Sequence, residues 1–250
     1  TLQICISHPD MPIEDCLRPT ERDLDEIWGW NHELPPCYAF CMHEMISERA
    51  HKSPNKVAIS SWDGDLTYAQ IEQYSTFVAH SLKDMGVELH DVLPVCFEKS
   101  KWAAVAVLAV MKSGATFVLT DPTLPLARLQ NMVKQVGAKT MLTSRKQYDL
   151  TTSIVPDGKR IVVEADTFTH VSDSQDLPPL ATVPPSALMY IIFTSGSTGT
   201  PKGVKISHET YTSSAIPRAK AVGYTEDSRV LDFASYAFDV SIDSMLLTLG

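Results

Sequence analysis

The stretch DVLPVCFEKSKWAAVAVLAVMKSGATFVLTDP, residues 91–122, decides the fold class. Its opening run, VLPVCF, is short, apolar and closed by the polar residues Glu98 to Ser100, which is the signature of a buried strand. WAAVAVLAVM, residues 102–111, is then apolar without a break until Lys112 and Gly114. Ten residues cannot cross a bilayer, which takes about 20. A run this continuous is also too apolar for a surface helix, so it reads as a helix buried on all sides and closed by Gly114. ATFVLT follows at once as a second strand. Strands that are apolar on both faces, joined through a helix, belong to a parallel sheet covered on both sides.

Working outward, the same alternation continues. LPLARLQNMVKQVG (124–137) reads as an amphipathic helix ending at Gly137, and KTMLTS, RIVVEA and ALMYIIF as further strands. On the other side, KVAISSWDGDLTYAQI (56–71) holds two short strands about Asp63-Gly64, a pair suited to a hairpin turn. Thr67 caps the helix YAQIEQYSTFVAHSLKDMG, which Gly86 closes. CYAFCMHEMISERAHKSP (37–54) is a helical segment with Phe40, Met45 or Ile46 and Arg49 at helical intervals, where the domain begins. Residues 1–36 carry five prolines, several acids and one short helical candidate, TERDLDEIWGWN, with Thr20 as N-cap and Asp23 in its first turn; they read as a linker. Residues 166–186, with four prolines and several acids, read as a surface connection. The expected fold class is α/β, sheets with helices on both faces.

Composition narrows the function. Of 250 residues, 44% are hydrophobic and 20% charged, ample for a core, and the net charge of −9 with singly scattered basic residues argues against a nucleic-acid-binding surface. The five cysteines (Cys5, Cys16, Cys37, Cys41, Cys96) are odd in number and sparse, as expected of reduced thiols in the cytoplasm. No membrane segment is legible. TLQICISHPD has neither initiator methionine nor leader character, and SMLLTLG stops inside an apolar pattern, so the chain is expected to be part of a longer protein.

The chemistry concentrates in YIIFTSGSTGTPKGVKISHE, residues 190–209. Thr194, Ser195, Ser197, Thr198 and Thr200 offer hydroxyls, Gly196, Gly199 and Gly203 let backbone approach a ligand, and Lys202 is the one cation in the loop. That inventory suits a polyphosphate. A Walker A loop does not fit, because Pro201 stands where its second glycine belongs and Gly203 where a hydroxyl should follow the lysine. A nucleophile elbow does not fit either, since GSTG is one residue short. On the residues alone, a phosphate cradle and a solvated polar loop both stand.

The full string closely resembles the phosphate-binding signature of the adenylate-forming enzymes, the superfamily of acyl-CoA ligases, luciferases and nonribosomal peptide synthetase adenylation domains. The resemblance implies that Thr194, Ser195, Gly196, Ser197, Thr198 and Gly199 embrace the β and γ phosphates of ATP, with Lys202 adding charge. Phe238-Asp239-Val240-Ser241 resembles the F-D-x-S element of the amino-acid-activating branch, in which Asp239 would receive the substrate ammonium group and Phe238, Val240 and Asp243 would line the pocket. Read by position alone, Asp239 is better explained as a helix N-cap before SIDSMLLTL, and its spacing from the phosphate loop tips the balance to the substrate role. A second acid, Asp243, would favour a polar or cationic substrate, unless it faces solvent. LTYAQI resembles the L-[TS]-Y-x-E-L element, with Gln70 in place of glutamate. VMKSGATFVLTDPTLPLARL resembles a scaffold element of the branch, with Phe117 for tyrosine and Leu119-Thr120 for P-[IL].

WGWNHELPP resembles the lead-in after a condensation domain. The implied organisation is thus 1–36, a linker following a condensation domain, and 37–250, the N-terminal part of an adenylation domain, the first half of the large subdomain. The implied cofactors are ATP, Mg²⁺ and phosphopantetheine on a carrier domain; the implied partners are an amino acid and the condensation and carrier domains, with no nucleic acid and no membrane. The family's adenine-binding segment, ribose-binding aspartate and catalytic lysine would lie past Gly250, so the catalytic set is incomplete here and the 250 residues alone are expected to be inactive. The alternatives are an acyl-CoA or aryl-acid ligase of the superfamily, and a non-catalytic adenylation-like binding module. Cys37, Cys41 and His43 lie close in sequence, but zinc needs four ligands and no second Cys/His pair is suitably spaced, so no metal site is expected. His208, which follows a second apolar strand and Ser207, is left open between facing the site and lying at the surface or the start of a helix.

Overall fold

The chain divides after Pro36 into two units, Thr1–Pro36 and Cys37–Gly250, in the computed structural model, which describes residues 2–170, 177–195 and 201–250. In the first unit, α1 (Leu2–Ser7) and α2 (Ile13–Cys16) precede α3 (Glu21–Asn31). Only α3 is legible in the sequence, because it alone carries a start signal: Thr20 accepts from Asp23 N–H while the Asp23 carboxylate accepts from Thr20 N–H, a reciprocal box.

The second unit opens with α4 (Met42–Lys52), which buries Met42, His43, Ile46 and Ala50. Phe40, counted into this helix from its spacing, precedes it, and Arg49 pairs with Glu226 at 3.0 Å instead of joining the core. Strands β1 (Val57–Ser61) and β2 (Gly64–Thr67) form the expected hairpin, with Gly64 at φ +107°, a value unfavourable to any side chain. Then α5 (Tyr68–Asp84) starts at a second reciprocal box, in which Gln70 stands where a glutamate would serve equally and accepts from Thr67 N–H at 2.9 Å.

The 91–122 stretch folds as read: β3 (Val92–Cys96), α6 (Lys101–Lys112) and β4 (Thr116–Leu119). It is followed by α7 (Leu126–Val136), β5 (Thr140–Thr143), α8 (Tyr148–Ile154), β6 (Lys159–Val162), β7 (Leu188–Thr194), β8 (Lys202–Ser207) and α9 (His208–Val222). A final helix, α10 (Val240–Ile242), runs on through a π-helical turn, Asp243–Leu247.

Six strands make one sheet in the order β6-β5-β3-β4-β7-β8. The first five are parallel, and β8 turns back antiparallel on β7 with Thr194 opposite Lys202. Both faces are dry. Leu93, Val95, Phe117, Leu119 and Met189 join the core formed with α4, α5, α6 and α9, while Cys96, Val118, Met141 and Ile191 meet α7 and α8 on the other side. Every residue of α6 from Ala103 to Lys112 is buried. Each large apolar side chain buried there contributes roughly 1.5–3 kcal/mol.

Lys112 ends α6 inside this core. Its ammonium meets Glu72 Oε1 at 2.7 Å and donates to Thr76 Oγ1 at 2.8 Å, so the charge is matched where water cannot reach it. Burial pushes the Lys112 ammonium below its usual range, against the pull of Glu72. The connection after β6 is not all surface: Phe168 is buried, stacked between Tyr74 (4.3 Å) and Trp102 (5.4 Å).

Candidate functional site

The site grows from the carboxyl end of β7, where open α/β sheets place ligands. Ile191 and Phe193 anchor the strand in the core, and at Thr194 the chain leaves it. Thr194, Ser195 and Lys202 are exposed, and the Thr194 hydroxyl donates across the hairpin to the Lys202 carbonyl at 3.4 Å. Gly196, Ser197, Thr198 and Gly199 lie outside the described residues. Among the described residues no carboxylate pairs with Lys202. β8 departs from the reading of an apolar strand before Ser207: Lys202 to Lys205 are all exposed, because β8 is the last strand of the sheet and pairs with β7 along one edge only.

A second wall is the segment 232–247. Asp121, just past β4, ties it down: its carboxylate accepts from Thr123 N–H (2.9 Å), Thr123 Oγ1 (2.6 Å) and Ser235 Oγ (2.5 Å). Burial opposes ionisation of Asp121, but these hydrogen bonds outweigh it and hold the carboxyl below its usual range. The neighbouring Tyr236 is buried, with the Lys99 ammonium 3.8 Å from its ring centroid and paired to Asp232 at 2.7 Å. Tyr236 and Ala237 thereby cover a crevice shared with Leu119, Leu124, Ile192 and Phe193, over the carboxyl ends of β4 and β7.

Asp239 follows. It occupies the N-cap position of α10 yet makes no capping bond, and among the described residues its carboxylate has no hydrogen bond or ion pair. The capping alternative is therefore not realised, since Asp239 has helical φ and ψ (−62°, −24°) in place of the extended conformation that aims a capping oxygen back at the helix. Ser241 is buried and its hydroxyl donates to the Phe238 carbonyl at 2.7 Å, while Phe238 (65%) and Val240 (56%) are exposed.

Asp243, one turn on, does not face solvent alone. It accepts from Arg218 Nη2 at 2.6 Å and from the Tyr211 hydroxyl at 3.0 Å, both residues of α9. Sequence reasoning missed Tyr211 and Arg218, and nothing local marks them; they lie 32 and 25 residues from Asp243. Tyr190 completes the group, 6.1 Å from the Tyr211 ring and 5.6 Å from Phe117. Burial raises the Tyr190 hydroxyl to about 12, helped by Asp239 and Asp243 and opposed by Arg218. Tyr211 is raised as well, by burial and then by Asp243.

His208 starts α9 but is buried against α4. Its Nδ1 accepts from Met42 N–H at 3.3 Å and its ring stands edge-on to His43 at 5.2 Å. Burial lowers His208 to about 4; burial, then His208 and Lys112, lower His43 to about 3, so both rings are neutral. Cys41, His43 and His208 bring their ligand atoms within 4.8 Å of one another, a meeting the sequence hides, since Cys37 is the exposed neighbour and stays apart. These are three donors where zinc needs four, and two are engaged: the Cys41 thiol donates to the Val183 carbonyl at 3.3 Å, and His208 Nδ1 is the acceptor above. Among the described residues no helix is long and apolar enough to cross a membrane.

Residues 46–250 match the AMP-binding enzyme family. The chain is 74% identical over its whole length to nonribosomal peptide synthetase sidD of Aspergillus fumigatus and 56% identical over 92% of its length to nonribosomal peptide synthetase SIDD of Beauveria bassiana. It spans 12% of the length of each. Among solved structures, the AMPPNP-bound form of the nonribosomal peptide synthetase FmoA3 superposes with a TM-score of 0.81 at 23% identity, over 92% of this chain and 24% of that one. VinN in complex with L-aspartate superposes with a TM-score of 0.75 at 18% identity, over 85% of this chain and 56% of that one. At such identities the likeness concerns the fold.

Proposed function

Because the chain belongs to the AMP-binding enzyme family, we propose that it is the N-terminal part of an adenylation domain that activates an amino acid within a nonribosomal peptide synthetase. In this reading, residues 1–36 join the domain to a preceding condensation domain. The amino acid and ATP react to aminoacyl-AMP and pyrophosphate: a substrate carboxylate oxygen attacks the α phosphorus, the bond to the β phosphate breaks, and pyrophosphate leaves. The aminoacyl group then passes to a phosphopantetheine thiol on a carrier domain. The synthetases matched at 74% and 56% identity support this reading.

Thr194, Ser195, Gly196, Ser197, Thr198, Gly199 and Lys202 hold the departing phosphates, where charge grows as the bond breaks and fixed donors stabilise it most. Around Thr194 and Lys202 the described residues offer hydroxyls and a cation and no acidic cluster, which suits phosphate oxygens and not a bare metal ion. Mg²⁺ would therefore arrive on the triphosphate, neutralising part of its charge. Phe238, Asp239, Val240 and Asp243 line the amino-acid side.

One observation carries the amino-acid branch: Asp239 is an uncommitted carboxylate beside a second acid that is already neutralised. Asp239 is exposed and free to accept a charge-assisted hydrogen bond, so it can supply the one charge that a substrate ammonium group needs. The test is amino-acid-dependent exchange of pyrophosphate into ATP by the intact module. Exchange is expected with an amino acid and not with the corresponding acid lacking the amine; exchange with the latter alone would place the chain with the acyl or aryl ligases. Thermal stabilisation by ATP, lost on changing Thr194 and Lys202, is the matching binding test.

A further inference from the structure

Asp239 and Asp243 lie one helical turn apart, joined by the bond from Asp243 N–H to the Asp239 carbonyl at 3.1 Å. Residues four apart share a helix face, so two bare carboxylates there would repel each other and any acidic side chain brought near. The structure relieves one of them. Arg218 Nη2 reaches Asp243 Oδ1 at 2.6 Å, Tyr211 donates to the same oxygen, and Ser214 Oγ steadies the guanidinium from its own helix, accepting from Arg218 Nη1 at 2.8 Å. Among the described residues Asp239 has no such partner.

We propose that Arg218 is a specificity-determining residue: by neutralising Asp243 it sets the pocket to accept an amino acid with an uncharged side chain. This rests on the amino-acid-activating reading above. Two carboxylates and one guanidinium leave a net charge of −1, which the substrate α-ammonium cancels at Asp239. A cationic side chain would have to displace Arg218 from a 2.6 Å ion pair, and an acidic one would face Asp239 and Asp243 with the Arg218 guanidinium already engaged. The acid at 243 taken alone points to a cationic substrate. The arginine 25 residues earlier reverses that expectation.

The experiment compares kcat/KM for pyrophosphate exchange by the intact synthetase module with glutamine, ornithine and glutamate, which are similar in size and differ in charge, together with the remaining uncharged amino acids. The wild type should be fastest with an uncharged side chain. Arg218→Met, which bares Asp243, should raise the ornithine-to-glutamine ratio by about ten-fold, and Asp243→Asn, which frees Arg218, should raise the glutamate-to-glutamine ratio by about as much. The double variant should bring both ratios back to within roughly threefold of the wild type, as expected of a coupled pair. A wild type fastest with a charged side chain, ratios unmoved in Arg218→Met and Asp243→Asn, or a double variant whose ratios stay as far from wild type as those of the single variants, overturns the inference while leaving the adenylation reading intact. A purely structural role lowers all three substrates together and counts as unmoved ratios. Exchange with no amino acid overturns the adenylation reading itself, and the inference with it.

Discussion

On the β7–β8 side of the site, Thr194, Ser195 and Lys202 are exposed donors, and among the described residues no carboxylate pairs with Lys202. On the α9 side, Tyr211, Arg218 and Asp243 hold one another at 2.6–3.0 Å before any ligand arrives, and one carboxylate, Asp239, stays uncommitted. In the proposed reading the first wall offers hydroxyls and a lysine to an anion, and the second, a nearly balanced charge set, offers one carboxylate to a single cation. Ligand charge, on this comparison, is compensated wholesale at one wall and one charge at a time at the other, so loss of a group should be felt as affinity and rate on the first and as selectivity on the second.

The comparison breaks most easily at Lys202. Lys202→Ala in the intact module should lower the rate of pyrophosphate exchange by about 10²–10³, the scale for one preorganised group on a developing charge, for every amino acid alike. Initial rates across the amino-acid panel check it, and a loss confined to some substrates would place Lys202 on the other wall.

Acid tests the anchoring of the second wall. α9, which carries Tyr211 and Arg218, begins at His208, buried and neutral with a folded value of about 4 against about 6.5 when exposed. Its value is depressed on folding, so the unfolded chain takes up the proton first as pH falls. The stability associated with the neutral ring is fully present above about 6.5 and is lost progressively down to about 4, amounting to about 3 kcal/mol for this histidine. His43, depressed further to about 3, extends the loss in the same direction. Urea unfolding at pH 7 and pH 4.5 measures it; His208→Gln should show a smaller difference between the two, and an equal difference would mean that carboxylates elsewhere carry the whole effect.

Asp239 sharpens the contrast. Asp239→Ala should reduce kcat/KM for the preferred amino acid by roughly ten- to a hundredfold, the worth of a charge-assisted hydrogen bond of about 1.5–3 kcal/mol, while exchange with an acid of the same shape lacking the amine is spared. Equal loss with both substrates would make Asp239 structural.

How far these walls were legible in the sequence follows the range of the interactions that build them. The β3–α6–β4 run could be read because burial on all sides leaves an unbroken apolar string, and Asp63-Gly64 and Thr67 because turns and caps are settled within four residues. The β8 edge was misread as apolar because Val204 and Ile206 catch the eye while the exposed Lys202 and Lys205 record its position at the rim. Of the site, the hydroxyl and glycine loop and the F-D-x-S element are continuous strings that can be matched by eye. The Arg218–Asp243 pair and the meeting of Cys41, His43 and His208 join residues 25 to 167 positions apart, and no spacing announces them before the sheet brings α4 and α9 together.

The smallest effect separates stability from either wall. Gln70 closes the N-terminus of α5 by accepting from Thr67 N–H at 2.9 Å, and among the described residues no hydrogen bond joins its side chain to the site. Removing the acceptor in Gln70→Ala leaves one backbone donor to water and should cost about 0.5–1 kcal/mol. Gln70→Glu keeps the geometry and adds negative charge where the helix dipole is positive, which should stabilise by about 0.3–1 kcal/mol. Urea midpoints of the two variants should therefore move in opposite directions, with the glutamate gain shrinking as salt screens it. Exchange rates and side-chain preferences should stay at wild-type values in both; a change in selectivity would show that α5 helps to shape the amino-acid wall, and the division of labour drawn between the two sides would have to extend beyond α9 and α10.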